Sequence, residues 1–458
     1  MWSVVMILPS LAVYSMGYLS VPPTISQSIL IFLFLSSMSL WVLGLAPPLA
    51  AAIYLLLGLI FLSLAPHEVT LSGFYSDTFF LLISLFMLGS FIQASGLSYR
   101  ALLYLCQFNR NSKSWKQFVM FLSGAVLTPV IPSANGRVLI THTLFQETTK
   151  IFNIPRGSLE HQRLMASTIG GFSLLSPIFL TSKSINLLAF GMLPEQVQQD
   201  FQFFYWLVAA AVAGVLILAA HVLLTAVLFK NNETYHIDPA AFEADTKALG
   251  RMTAAEFGTI GAIILFISII FTKSIHQLDA AWLALFLLVF APLIMGFFEG
   301  KRFNRTVEWD FLIILSALIG FSNTMIYLEM DDFITYYLKD LRALIERDFI
   351  IFSVYLSLAI FVLRLMLPIN VVVTVLCSTL IPLTLQSTIN PWIVVFSILL
   401  LSETSTNRVT TSYLILFFSL DDDTSHYWRL TVLQLLMHFV KLGALIVSIP
   451  VWRNLGLI

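Results

Sequence analysis

Pro132-Ser133-Ala134-Asn135-Gly136-Arg137 interrupts an otherwise apolar stretch that runs from Lys116 to Lys150. The flanking pieces, 117–131 and 138–148, would be helices of roughly 22 Å and 16 Å at about 1.5 Å rise per residue. Neither piece crosses a hydrocarbon core of about 30 Å. Arg100, Arg110, Lys113 and Lys116 precede the stretch, and Lys150, Arg156 and Arg163 follow it. Basic loops mark the cytoplasmic side of a membrane, so both ends lie on one side. The stretch is therefore expected to enter and leave by the same face, as a re-entrant hairpin with a buried tip.

A second stretch, Phe349 to Gln386, has the same form, with halves 349–367 and 371–385 around Pro368-Ile369-Asn370. The loop before it, from Glu329 to Asp348, carries six acidic residues against three basic ones, which fits the opposite side. Each hairpin is followed by an apolar span with a polar interruption: Leu180-Thr181-Ser182-Lys183-Ser184-Ile185-Asn186 after the first, Ser402-Glu403-Thr404-Ser405-Thr406-Asn407-Arg408 after the second. Hairpin then broken span, twice and from opposite sides, is the signature of an inverted-topology repeat whose broken helices meet near the midplane. Non-helical backbone at that depth survives only where protein buries it or a wet cavity receives it.

Composition sets the wider frame. Of 458 residues, 58% are hydrophobic and 11% charged, against roughly 25% charged in a soluble domain. Apolar segments near 3–20, 26–46, 48–65, 76–96, 164–193, 201–229, 253–272, 280–298, 309–328, 391–419 and 429–451 predict about 11 transmembrane helices in an all-α polytopic fold. The opening segment lacks a basic start and a small-residue cleavage site, and reads as a retained first span. Counting charges through the spans places the N-terminus in the cytoplasm and the C-terminus outside. Four parts follow within one membrane domain: scaffold helices 1–115, transport part 116–229, scaffold 230–348 and transport part 349–458. A net charge of -1 gives no global field for nucleic acid. Cys106 and Cys377 suggest neither a disulfide framework nor a metal site.

The chemistry concentrates at the interruptions. A helix that begins at mid-membrane aims free N–H groups and a positive dipole end at the cavity, which suits an anion. Carbonyls exposed where a helix breaks suit a hard cation. The expected substrate contacts are Ser133, Asn135, Arg137, Thr181, Ser182, Lys183, Asn370, Thr404 and Thr406; the expected ion contacts are Ser133, Asn135, Asn370, Glu403 and Asn407. Each has a plainer reading. Asn135 and Asn370 would also serve as caps of their own turns, Arg137 and Lys183 as halves of structural ion pairs, and the hydroxyls as interhelical glue. Glu403 and Arg408 would neutralise each other. Arg364 and His142 read as structural. A cavity holding Arg137, Lys183 and Arg408 against Glu403 carries excess positive charge, which reduces the need for sodium and favours exchange or proton coupling.

These residues resemble the divalent anion:sodium symporter family, which contains sodium/dicarboxylate and sulfate symporters. Trp309-Asp310-Phe311-Leu312 is similar to the family's tryptophan-led span before the second hairpin. Residues 132–137 resemble the Pro-Ser-Asn-Thr-Ala-Arg tip of plastid-type dicarboxylate translocators. Phe179-Leu180-Thr181-Ser182-Lys183-Ser184-Ile185-Asn186 resembles their Phe-Leu-Thr-Ala-Met-Ala-Ala-Asn run. The departures are Ala134 and Asn135 in the first tip, and Ile369 and Val371 beside Asn370 in the second. Ser322-Asn323-Thr324 reproduces the family's tip letters in a span rather than at a tip, and is a decoy.

The resemblance implies a secondary active transporter of elevator type for small anions, dicarboxylate or sulfate. It would be coupled to sodium or run by exchange, and work as a homodimer in a bacterial inner membrane or its equivalent. Sodium would be the one cofactor. The alternatives are a cation/proton or arsenite-type carrier of the same superfamily, and a transport-inactive substrate sensor. A channel fits less well, because paired tips would close the path from both sides. A membrane hydrolase needs a nucleophile–base pair or metal cluster, and the sequence offers no H-E-x-x-H, no G-x-S-x-G and only scattered histidines.

Overall fold

The computed structural model describes residues 2–97, 100–101, 104, 112–230, 250–271, 280–290, 307–385, 387–403, 411–420 and 427–458, and among these it contains helices and no strand. Six of the helices are long and apolar enough to cross a membrane: Ile25–Val42, Asp77–Ser95, Phe203–Leu228, Trp309–Tyr327, Phe349–Met366 and Trp428–Asn454. Shorter apolar helices accompany them, among them Pro48–Phe61, Ile369–Leu385 and Pro391–Ser402. Their termini follow ordinary capping chemistry. The Ser76 hydroxyl accepts from the Phe79 N–H at the start of Asp77–Ser95, and Gly96 closes that helix at φ 74, a left-handed position that glycine adopts without a Cβ clash.

The first expected hairpin consists of helices Lys113–Leu127 and Ala134–Ile151 joined by residues 128–133. The sequence reading began the second helix at 138, but it starts four residues earlier. The cause is local: Ser133 has extended backbone and its hydroxyl accepts from the Gly136 N–H at 3.3 Å, making it the N-cap. Asn135, Gly136 and Arg137 therefore belong to the first helical turn rather than to a loop. The second hairpin consists of Phe349–Met366 and Ile369–Leu385, so its turn is only residues 367–368 and Asn370 is helical.

Both broken spans are interrupted where the sequence is polar. Leu159–Ser173 gives way to short 3-10 turns at Ser176–Ile178 and Leu180–Ser182 before Ser184–Gly191 resumes. Pro391–Ser402 stops at Glu403, and Ser412–Ser419 resumes after Thr411. The acidic stretch before the second hairpin is not a loop. Met330–Tyr337 and Lys339–Arg347 are two short amphipathic helices, the latter carrying an Arg342–Glu346 pair at 3.1 Å. Only part of the expected 280–298 span, Ala280 to Phe290, lies among the described residues.

A close crossing packs the first hairpin on its broken span, and an aromatic cluster joins elements of both halves. Lys113–Leu127 crosses Leu159–Ser173 with backbones nearly touching. A Cβ on Gly124 would overlap the Phe172 backbone nitrogen, and one on Gly171 the Phe121 carbonyl. Thr128 seals the crossing by donating to the Gly124 and Gly171 carbonyl oxygens. Elsewhere Trp392 stacks between Phe201 and Phe396, with both centroids 4.9 Å away, and meets Trp206 and Trp452 edge-on. Through this cluster the helices 203–228, 391–402 and 428–454 share one aromatic core.

Candidate functional site

Arg137 is fully buried at the start of the hairpin's second helix. Its guanidinium donates to the carbonyl oxygens of Phe172 at 3.0 Å, Ile131 and Ser182, and to the Ser176 hydroxyl at 3.1 Å. In this structure its donors are thus occupied by protein oxygens rather than left open to an anion. Each acceptor is a carbonyl or hydroxyl freed where a helix stops, and unsatisfied carbonyls cost several kcal/mol apiece in hydrocarbon. Arg364 does the same in the second half. It donates to the Leu367 carbonyl at its tip (2.6 Å), to the Ser402 carbonyl (2.9 Å) and to the Thr411 hydroxyl (3.3 Å).

The first tip is also fastened directly to its break. The Thr181 hydroxyl donates to the Pro129 carbonyl, and the Ser184 N–H to the Pro132 carbonyl at 3.2 Å. Ser182 donates to the Ser176 carbonyl, and the Asn186 amide to the carbonyls of Ser176 and Phe179 and to the Ser182 hydroxyl. Thr181 and Ser182, expected as substrate ligands, spend their hydroxyl protons on the turn.

Lys183 follows immediately and crosses to the other half. Its ammonium lies 2.6 Å from both carboxylate oxygens of Glu403, with side chains 7% and 3% exposed, and 4.8 Å from the centre of the Tyr413 ring. The expected partner of Glu403, Arg408, lies outside the described residues, as do Thr404, Thr406 and Asn407. A residue that sequence reasoning missed completes the group. Lys441, buried in the middle of the last helix, donates to the Glu403 backbone carbonyl at 2.7 Å.

The second tip borders a cavity. It measures about 550 Å³ and is lined by Asn370, Leu188, Pro48, Glu308, Trp309 and Asp310. The Ser133 side chain of the other tip lies close to the Glu308 carboxyl on its wall. Asn135 is exposed at its tip, and the capping role weighed for it is filled by Ser133. The decoy triplet is used for packing: Asn323 donates to the Ser72 hydroxyl at 2.7 Å and Thr324 to its own helix. Among the described residues no group of three His, Cys, Asp or Glu could hold a metal ion.

Apolar helices, paired hairpins and breaks stitched by side chains define an all-helical polytopic membrane protein. A family model described as the sodium:sulfate symporter transmembrane region matches residues 29–458, and the chain belongs to that family. It is 24% identical over 260 residues to the citrate/succinate antiporter of Escherichia coli K12, a match covering 55% of this chain and 53% of that protein. The antiporter of Escherichia coli O157:H7 matches to the same extent. The chain spans about half the length of the curated relatives it matches. Its fold is similar to that of the YdaH transporter of Alcanivorax borkumensis, with a TM-score of 0.58 and 13% identity over 99% of this chain and 98% of that one.

Proposed function

We propose that the chain is a secondary carrier of small di- or tricarboxylate anions, working by exchange and independently of sodium. The observation that carries the reading is the group of buried cations at the two breaks, together with Asn370 of the second tip on the wall of a cavity. Behind the tips stand buried Arg137, Lys183, Arg364 and Lys441. Permanent cations at such depth are expensive unless anions or oxygens receive them. The family supports an anion as cargo, and the citrate/succinate antiporters support carboxylates. Sulfate remains within the same class of solute.

Coupling follows from the Lys183–Glu403 pair. A site that would otherwise need a sodium ion to neutralise its carboxylate already holds an ammonium, so the sodium expected from the family is dispensable here. Asn135, Arg137, Thr181, Ser182, Lys183 and Asn370 form the shell of the solute site, the arginine and hydroxyls by shaping it. Thr404, Thr406 and Asn407 would complete it from the second break.

The mechanical reading keeps the four parts read from the sequence, in two inverted repeats totalling eleven spans. Residues 116–229 and 349–458, joined through the Trp392 cluster and the Lys183–Glu403 pair, travel as one unit past 1–115 and 230–348. The unit works as a homodimer in a bacterial inner membrane or its equivalent, with the N-terminus cytoplasmic.

The test is an uptake screen of succinate, malate, citrate, sulfate and phosphate in proteoliposomes, with sodium, proton and counter-anion gradients applied separately. Trans-loaded succinate or citrate should drive uptake, and Asn135→Ala with Asn370→Ala should slow it. Uptake that follows only the sodium gradient would overturn the coupling, and no uptake of any anion would overturn the cargo. One observation favours a second reading, a cation or proton carrier: the cavity wall bears two carboxylates, Glu308 and Asp310. Ion flux without any organic anion would support it.

A further inference from the structure

Four cations surround the Glu403 end of the second break: Arg137, Lys183, Arg364 and Lys441, all buried. The two arginines are held by carbonyl and hydroxyl oxygens. The two lysines are both held at Glu403, one at its carboxylate and one at its backbone oxygen, with the Tyr413 ring beside Lys183. Among the described residues the Lys441 ammonium has that single acceptor, leaving two N–H groups unsatisfied in a fully enclosed place. Four cations thus stand, among the described residues, around one carboxylate, with one ammonium on it and the other on the same residue's carbonyl oxygen. A buried charge without a partner is strongly unfavourable.

We propose that a carboxylate of the transported solute joins this cluster, and that Glu403 passes from Lys183 to Lys441 when it arrives. This rests on the reading that the chain carries anions. Lys183 is the receiving group, because the next residue, Ser184, donates to the tip carbonyl of Pro132 and so holds Lys183 beside the first tip. The incoming carboxylate takes the Lys183 ammonium. The Glu403 side chain then turns toward Lys441, which is already held on the same residue's carbonyl oxygen. Two ammonium groups then face two carboxylates. No covalent bond changes and no proton moves. When the solute leaves, Glu403 returns to Lys183, which keeps the empty site from staying charged and open. A second carboxylate would thereby compete with the solute at every cycle, favouring release.

The test uses the full-length protein in proteoliposomes with labelled succinate. Lys441→Gln leaves the Lys183–Glu403 pair of the empty state intact but removes the group that receives Glu403. It should raise the KM for succinate roughly tenfold or more, with the unfolding midpoint in the absence of anion not lowered. Lys441→Arg should restore the KM to within about threefold of the parent. Glu403→Gln removes the competitor and should lower both the KM and the maximal rate. The proposal falls if Lys441→Gln transports with the parental KM, if Lys441→Arg is as impaired as Lys441→Gln, or if Glu403→Gln raises the KM. Should Lys441→Gln fail to fold, the Glu403→Gln result decides by itself. If the parent protein moves no anion at all, the reading of function fails first, and this inference with it.

Discussion

Arg137 and Arg364 hold corresponding places in the two halves: each ties the carbonyl of its hairpin turn to the carbonyl that ends the next helix. For Arg137 these are Ile131 and Phe172; for Arg364 they are Leu367 and Ser402. One arginine sits after its turn and the other before it, yet both reach the same pair of groups. The planar guanidinium has five donors and reaches acceptors spread more widely than the three donors of an ammonium can.

Arg137→Ala should therefore damage folding before it affects any affinity. It strands three carbonyls and a hydroxyl in a buried site, at about 1–3 kcal/mol for each group left unsatisfied. Denaturant unfolding in detergent should show a loss of several kcal/mol, and Arg137→Lys should recover only a minor part. A midpoint that stays put in Arg137→Ala would remove the staple from the account.

Removing both ammonium groups at Glu403 should create a demand for sodium. Lys183→Ala with Lys441→Gln leaves the Glu403 carboxylate buried and unpaired, a state costing about 3–5 kcal/mol, which a hard cation relieves. Uptake by the parent should be flat as sodium replaces choline, and uptake by this double variant should climb. Adding Glu403→Gln should make it indifferent again. A flat response from the double variant would refute the built-in cation.

The crossing of Lys113–Leu127 over Leu159–Ser173 should be intolerant of a single methyl. Gly124→Ala or Gly171→Ala places the new carbon on backbone atoms that cannot swing away, and overpacking of this kind costs about 1–3 kcal/mol or more. Gly258→Ala meets nothing within 4 Å, and better helix propensity should make it neutral or stabilising by up to about 1 kcal/mol. Equal melting temperatures for Gly124→Ala and Gly258→Ala would contradict the close approach.

Trp392 should behave as bulk rather than as a donor. Its indole N–H is buried without a partner among the described residues, so Trp392→Phe forfeits no hydrogen bond and should cost under about 1.5 kcal/mol. Trp392→Ala opens a hole between Phe201 and Phe396 and should cost about 3–5 kcal/mol. If the phenylalanine variant were as damaged as the alanine one, the indole nitrogen would have a role not seen here.

Much of this was legible in the letters, and the remainder was hidden for physical reasons. The breaks announced themselves because Pro132 and Pro368 and the polar runs at 180–186 and 402–408 cannot continue an apolar helix. Helix starts were misjudged at the first tip because Ser133 caps a turn that looked too polar to be helical. Arg137 and Lys183 were recognised as costly cations, but their partners were not, since a carbonyl leaves no mark in a sequence and Glu403 lies 220 residues from Lys183. Lys441 was overlooked because its helix is unbroken from Trp428 to Asn454. A lysine halfway along such a span is too far from either interface to snorkel, and that distance was the available signal.

Because the arginine clasps grip main-chain oxygens, they are blind to the side chains mounted on the turns they secure. Ala134 and Ile369 stand where relatives of the resembling pattern keep polar tip letters, and the turns are nonetheless held through Ile131 and Leu367. Lineages sharing this scaffold are thus at liberty to rewrite their tips and try new cargo, without first solving again how to fold a bend inside a bilayer.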